Sequence, residues 1–156
     1  MRGSFRVVVL FVLALLPGCK LARFLGIGGD DPQWQTETFD HLHRRDVLQL
    51  ARREIGREYQ IVSLDAFAGE LTTDWKDGLY SEMTRQDLRQ RVLVEVERLE
   101  DGVVEMRLRV QCEVNDEPGR HLDPSQAEWT PYDDDVTKAK VLMRQIKHVA
   151  ESARPR

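Results

Sequence analysis

From Val104 to Val114 every second residue is apolar: Val104, Met106, Leu108, Val110, Cys112 and Val114 alternate with Glu105, Arg107, Arg109, Gln111 and Glu113. A period of two describes a strand with one face on a core and the other toward water or a partner. Val92, Val94 and Val96 alternate in the same way with Leu93, Glu95 and Glu97, and Glu100-Asp101-Gly102 joins the two runs. Asp-Gly between alternating segments is a hairpin signal, so the runs predict an antiparallel hairpin with Cys112 on its core face. A helical period follows. Val136, Ala139, Leu142, Met143, Ile146, Val149, Ala150 and Ala153 form one apolar stripe, which predicts an amphipathic helix. Asp133, Asp134 and Asp135 precede it and are expected to cap it and to offset the positive end of its dipole. Val47, Leu50, Ala51 and Ile55 predict an earlier helix, with Asp40 as candidate N-cap and Gly56 as its stop.

Weaker patterns complete the order. Trp34 to Phe39 read as a first edge strand and Tyr59 to Leu64 as another. Phe67, Leu71, Thr73 and Trp75 share parity across Gly69 and read as one strand ending at Trp75. Lys76 to Gln90 read as a long charged excursion opened by Asp77-Gly78, and Asn115 to Pro131 as a polar loop. The fold class expected is α+β: a two-layer sandwich in which an antiparallel sheet of about four to five strands packs against two helices.

The N-terminus has a different pattern. Arg2 and Arg6 precede ten unbroken apolar residues, Val7 to Leu16. That length suits the core of a secretory signal and is short of the roughly 20 apolar residues a spanning helix needs. The run closes on Leu16-Pro17-Gly18-Cys19, which resembles the lipobox of bacterial lipoproteins, with Pro17 departing from the usual residue types at its position. The resemblance implies cleavage after Gly18, a diacylglycerol on the Cys19 thiol, and acylation of the new amine. Leu16 and Gly18 are then cleavage-site residues and Cys19 the lipidation site. Several acyl chains, each buried CH₂ adding about 0.8 kcal/mol, make a durable anchor. The organisation expected is a signal peptide over 1–18, lipidated Cys19 and a Gly/Asp/Pro-rich tether over 19–33, one α+β domain over 34–153, and a frayed tail over 154–156.

Charge and cysteine content refine this picture. The formal net charge is −4, and loss of Arg2 and Arg6 makes the chain more acidic, which argues against a nucleic-acid partner. With Cys19 lipidated, Cys112 has no intrachain partner, so it is expected to be buried. His41 and His43 are two apart and without an evident third ligand, so no metal site is expected. The carboxylates Glu95, Glu97, Glu105 and Glu113 are interspersed with Arg91, Arg107 and Arg109, which points to cross-strand ion pairing rather than catalytic carboxylates. The sequence lacks a Gly-rich phosphate loop, a nucleophile elbow and a zinc signature, and neither an enzymatic activity nor a cofactor is expected. Trp75 and Trp129 flank polar loops and read either as core-edge residues or as exposed anchors for a partner or glycan.

Leu71-Thr72-Thr73-Asp74-Trp75, a charged loop with Tyr80, and Leu88-Arg89-Gln90-Arg91-Val92-Leu93-Val94-Glu95-Val96 together resemble the BamC-type lipoproteins of the outer-membrane barrel-assembly machinery. The resemblance covers about Leu71 to Val110 plus the last helix. It implies a helix-grip domain, an antiparallel sheet cradling a helix. BamC-type proteins carry two such domains and a long N-terminal segment, whereas this chain has room for one domain and a short tether. The function expected is a non-catalytic, lipid-anchored envelope protein that engages a protein partner. Lys20 after Cys19 favours the outer membrane, facing the periplasm, over the inner. The alternative is a lipoprotein that binds a small apolar or glycan ligand between helix and sheet.

Overall fold

The computed structural model describes residues 31–81, 86–116 and 127–152. The lipobox, Cys19 and most of the tether lie outside these residues, as do Ala153 and the C-terminal tail. The fold is α+β: among the described residues two helices accompany a seven-stranded antiparallel sheet, larger than the four to five strands the pattern predicts.

The alternating runs form the spine. β5 (Gln86–Arg98) and β6 (Val104–Asn115) pair along their length, from Leu88 opposite Val114 to Arg98 opposite Val104. Gly102 turns the hairpin at φ 85°. Each long strand is lined on its far side by two short strands set end to end. β1 (Gln35–Phe39) covers Val104–Leu108 of β6, and β7 (Trp129–Tyr132) covers Cys112–Asn115. β3 (Glu70–Thr73) covers Leu93–Glu95 of β5, and β4 (Lys76–Ser81) covers Gln86–Gln90. β2 (Ile61–Asp65) adds to β3 as the edge strand among the described residues. Where β3 gives way to β4, the Thr73 hydroxyl accepts the Val92 N–H at 2.8 Å, so a side chain closes the gap in the backbone ladder.

Two expected loops are therefore partly strand. Lys76 to Gln90 contains β4 and the start of β5, and the polar loop after Asn115 ends in β7. β4 and β7 gain their backbone partners from the long hairpin, and neither short segment has a hydrophobic period to announce it. Pro131 within β7 is tolerated because among the described residues that strand pairs on one side alone, with β6.

α1 (Arg44–Ile55) and α2 (Val136–Ser152) pack on one sheet face and against each other. Val47, Leu48, Ala51 and Ile55 of α1 and Ala139, Leu142, Ile146 and Ala150 of α2 meet Val92, Val94, Val96, Met106, Leu108 and Val110 in one core. Each fully buried aliphatic side chain contributes about 1.5–3 kcal/mol relative to exposure.

Helix starts differ from the expectation. α1 begins at Arg44 with His43 as N-cap, and His43 makes no side-chain cap hydrogen bond. Asp40 is too far upstream to cap; its Oδ1 lies 2.8 Å from His41 Nδ1. At α2, Asp135 alone of the three aspartates caps, its Oδ1 accepting the Lys138 N–H at 2.8 Å. Gly56 follows α1 in a right-handed conformation, and its value there is space, since a Cβ would sit 2.8 Å from the Arg52 carbonyl oxygen. Phe67 does not continue a strand. It lies in the β2–β3 turn and is 92% exposed.

Candidate functional site

Period-two patterning leaves one face of the β5–β6 hairpin turned away from the helices. Arg89, Arg91, Leu93, Glu95 and Glu97 of β5 stand there opposite Glu113, Gln111, Arg109, Arg107 and Glu105 of β6. The expected ion pairing is present and follows the register. Arg89 donates to Glu113 Oε2 from Nε at 2.8 Å and from Nη2 at 2.5 Å. Arg107 pairs with Glu95, and Arg91 Nε donates to Gln111 Oε1 at 2.8 Å. Arg109 reaches past the hairpin to Asp134 Oδ2 at 2.6 Å. Glu97 and Glu105 face each other as like charges at the open end.

All three tryptophans of the chain are brought to this face, each beside an arginine. Arg89 lies between Trp75 and Trp129, its guanidinium carbon 4.5 and 4.3 Å from the two ring centres. Arg91 sits 4.6 Å from the Trp75 ring, and Arg107 is 5.6 Å from that of Trp34. Such stacks contribute about 0.5–2 kcal/mol each, more when water is excluded. Trp75 and Trp129 are thus half-buried on the polar face, neither in the core nor at its rim. Both flank polar loops in the sequence, a mark that neither their shared partner Arg89 nor Trp34 carries. The signal was parity: Arg89 and Arg91 extend the outward series of β5, and Trp129 pairs with Asn115 of the outward series of β6.

Local structure fixes the tryptophans. Asp74 and Trp75 bridge β3 to β4. The Trp75 N–H donates to Asp74 Oδ1 at 2.8 Å, the Thr73 hydroxyl to the Asp74 carbonyl at 3.0 Å, and the Asp74 N–H to the Gln60 carbonyl at 2.7 Å. The Thr-Asp-Trp sequence is the device that turns the chain from one short strand to the next and sets Trp75 over β5. The chain enters the domain on the same face. The Gln33 N–H donates to Asp134 Oδ2 at 2.8 Å, beside Arg109. Asp134 is 4% exposed in its side chain, and its Oδ1 has no hydrogen-bond partner among the described residues.

The core side of the hairpin carries a second polar group. Tyr59 Oη donates to Gln90 Oε1 at 3.3 Å, and Gln90 Nε2 donates to Asp135 Oδ2 at 2.9 Å. Cys112 is buried as expected, with Sγ 3.9 Å from the Val110 carbonyl. Burial pushes its thiol up to about 11, and burial beside Glu58 and Asp135 pushes the Tyr59 phenol up to about 12. Both groups are held protonated at neutral pH, which makes Cys112 a poor nucleophile. Glu54, 3% exposed, is held between Arg53 at 3.0 Å and Arg57 at 2.5 Å. His41 touches Asp40 and, through Nε2 at 3.4 Å, the Ala150 carbonyl. Among the described residues no three His, Cys, Asp or Glu side chains are grouped to hold a metal ion.

This arrangement can present stacked aromatic and guanidinium planes to a macromolecular surface. No protein-family model and no curated protein matches the chain. Among solved structures, a DUF4468 family protein from Bacteroides ovatus is similar at 10% identity, with a TM-score of 0.33 over 80% of this chain and 83% of that one.

Proposed function

We propose that this protein is a non-catalytic, lipid-anchored module of the bacterial cell envelope that engages a protein partner through the open face of its sheet. The observation that carries the reading is the gathering of Trp34, Trp75 and Trp129 with Arg89, Arg91 and Arg107 on the face the helices leave uncovered. Tryptophan and arginine are the residue types that most often anchor protein interfaces. The lipobox Leu16-Pro17-Gly18-Cys19 supplies the membrane attachment, and Lys20 favours the outer membrane, facing the periplasm. The entry of the chain beside Asp134 supports a short link between anchor and open face.

The architecture is helix-grip-like in this reading: a sheet with two helices on one side, in keeping with the BamC-type resemblance of Leu71 to Val110. A place in outer-membrane biogenesis follows from that resemblance by analogy alone. The alternative, a small apolar or glycan ligand held between helix and sheet, asks for space where Val47, Ile55, Val94, Leu108 and Ile146 pack, and for tryptophan faces that Arg89 occupies.

Metabolic labelling with a clickable fatty acid tests the anchor. The wild-type chain is expected to take the label and to float with membranes. Cys19→Ala is expected to lose the label and remain an uncleaved precursor. Labelling of Cys19→Ala at the wild-type level would remove the lipoprotein reading.

A further inference from the structure

At the end of the sheet where the β5–β6 hairpin turns, Phe67 stands 92% exposed, yet its backbone is fixed. Asp65 Oδ1 accepts the N–H groups of Phe67 and Ala68, each at 2.8 Å. Arg44 Nη2 donates to the carbonyls of Ala66 and Phe67 at 3.0 and 2.6 Å. Gly69 closes the turn at φ 83°, and its carbonyl accepts the Val96 N–H at 2.8 Å. Next to this turn lies a groove of about 440 Å³, walled by Leu42, Ala66 and Val104 and carrying Arg44, Arg45 and Arg98. Arg53, Arg57, Arg89, Arg107 and Arg109 are paired with carboxylates. Arg45 and Arg98 have no such partner among the described residues, and Arg44 is bound to neutral carbonyls.

An exposed aromatic ring on a fixed backbone loses little conformational freedom when it docks, and a guanidinium fork matches a carboxylate. We infer that this groove binds an acidic segment of a partner protein, with a Glu or Asp carboxylate between Arg45 and Arg98 and a neighbouring apolar side chain against Phe67. A discrete carboxylate fits better than an anionic bilayer. The groove itself carries only basic charge, while Asp65, Glu97, Glu100 and Asp101 on the adjoining strands and turns would repel a continuous negative surface. The site lies at the opposite end of the hairpin from Trp75 and Trp129, roughly 30 Å along the strands at about 3.4 Å per residue. It goes beyond the tryptophan-face reading and depends neither on it nor on the lipid.

The test is an amide-resolved NMR titration of the isotope-labelled full chain in nonionic detergent. The probes are the blocked tripeptides acetyl-Leu-Glu-Leu-amide and acetyl-Leu-Gln-Leu-amide at millimolar concentration. Saturable shifts are expected at the amides of Arg45, Phe67, Ala68 and Gly102 with the glutamyl peptide, and not with the glutaminyl one. The double variant Arg45→Gln/Arg98→Gln is expected to weaken binding at least about tenfold, since it removes both charge-assisted forks from the carboxylate. Phe67→Ser, a change at an exposed side chain, is expected to weaken it too. No saturable shift at these amides, an equal response to both peptides, or dilution-dependent shifts without peptide that assign the patch to a second copy would each overturn the inference.

Discussion

Arg89 holds together three groups that the chain brings from distant positions: Trp75, Trp129 and Glu113. The stack and the fork both need a planar guanidinium, so Arg89→Lys is not conservative here. Both Arg89→Ala and Arg89→Lys are expected to lower stability by about 1–3 kcal/mol in urea unfolding, by loss of a half-buried charge pair and its aromatic lid. A lysine variant as stable as wild type would refute the planar role. Cys112 and Tyr59 make a pH prediction. Their ordinary values of 9.0 and 10.0 rise to about 11 and about 12 in the fold. The unfolded chain therefore loses these protons first as pH rises. Their contribution to stability is complete below about pH 9 and falls away between pH 9 and 12, so the urea midpoint is expected to drop across that window. Iodoacetamide at pH 8 is expected to modify Cys112 only after unfolding. Cys112 was legible in the sequence as a core-face residue because its neighbours on both sides keep the period. Gln90 was not: it occupies an inward position of β5, and its polarity breaks the pattern that would have carried the strand back to Gln86. Its partners Tyr59 and Asp135 are far away in sequence.

The turns and caps set the accuracy of the elements. Gly69 and Gly102 both have positive φ, and their surroundings differ. A Cβ on Gly69 would lie 2.2 Å from the Val96 carbonyl oxygen, whereas on Gly102 it would meet only the Arg98 side chain, at 3.6 Å. Gly102→Ala is expected to cost about 1–2 kcal/mol, the penalty of left-handed backbone. Gly69→Ala is expected to cost more, because β3 must move off β5. Equal losses in thermal unfolding would contradict the close approach. Asp135→Ala removes the α2 cap and is expected to cost about 0.5–2 kcal/mol, with a further loss because Gln90 Nε2 loses its acceptor while Oε1 keeps Tyr59. The long hairpin and both helices were legible, since each carries its own period over three turns or ten residues. The short strands were not. β4 and β7 are held by backbone pairing to β5 and β6, so their evidence lies in the partner strand. The same reasoning explains Phe67, whose parity with Leu71 suggested strand while Asp65 and Gly69 impose a turn.

Across the whole molecule the two sheet faces divide the labour. One buries a single core under two helices; the other displays tryptophans and arginines and receives the chain at Gln33. That the open face would carry charge was legible from the alternation. That the tryptophans would meet there was not, because Trp34, Trp75 and Trp129 come from three short elements whose placement depends on the complete sheet. The proposed role depends on this face meeting a partner. The direct measurement is site-specific photo-crosslinking in intact cells, with a photoreactive phenylalanine analogue at position 111 on the open face or at position 49, exposed on α1. The account predicts a discrete protein adduct from position 111, lost when Trp75 and Trp129 are replaced by Ala, and none from position 49. No adduct from position 111, or the same adducts from both positions, would contradict it.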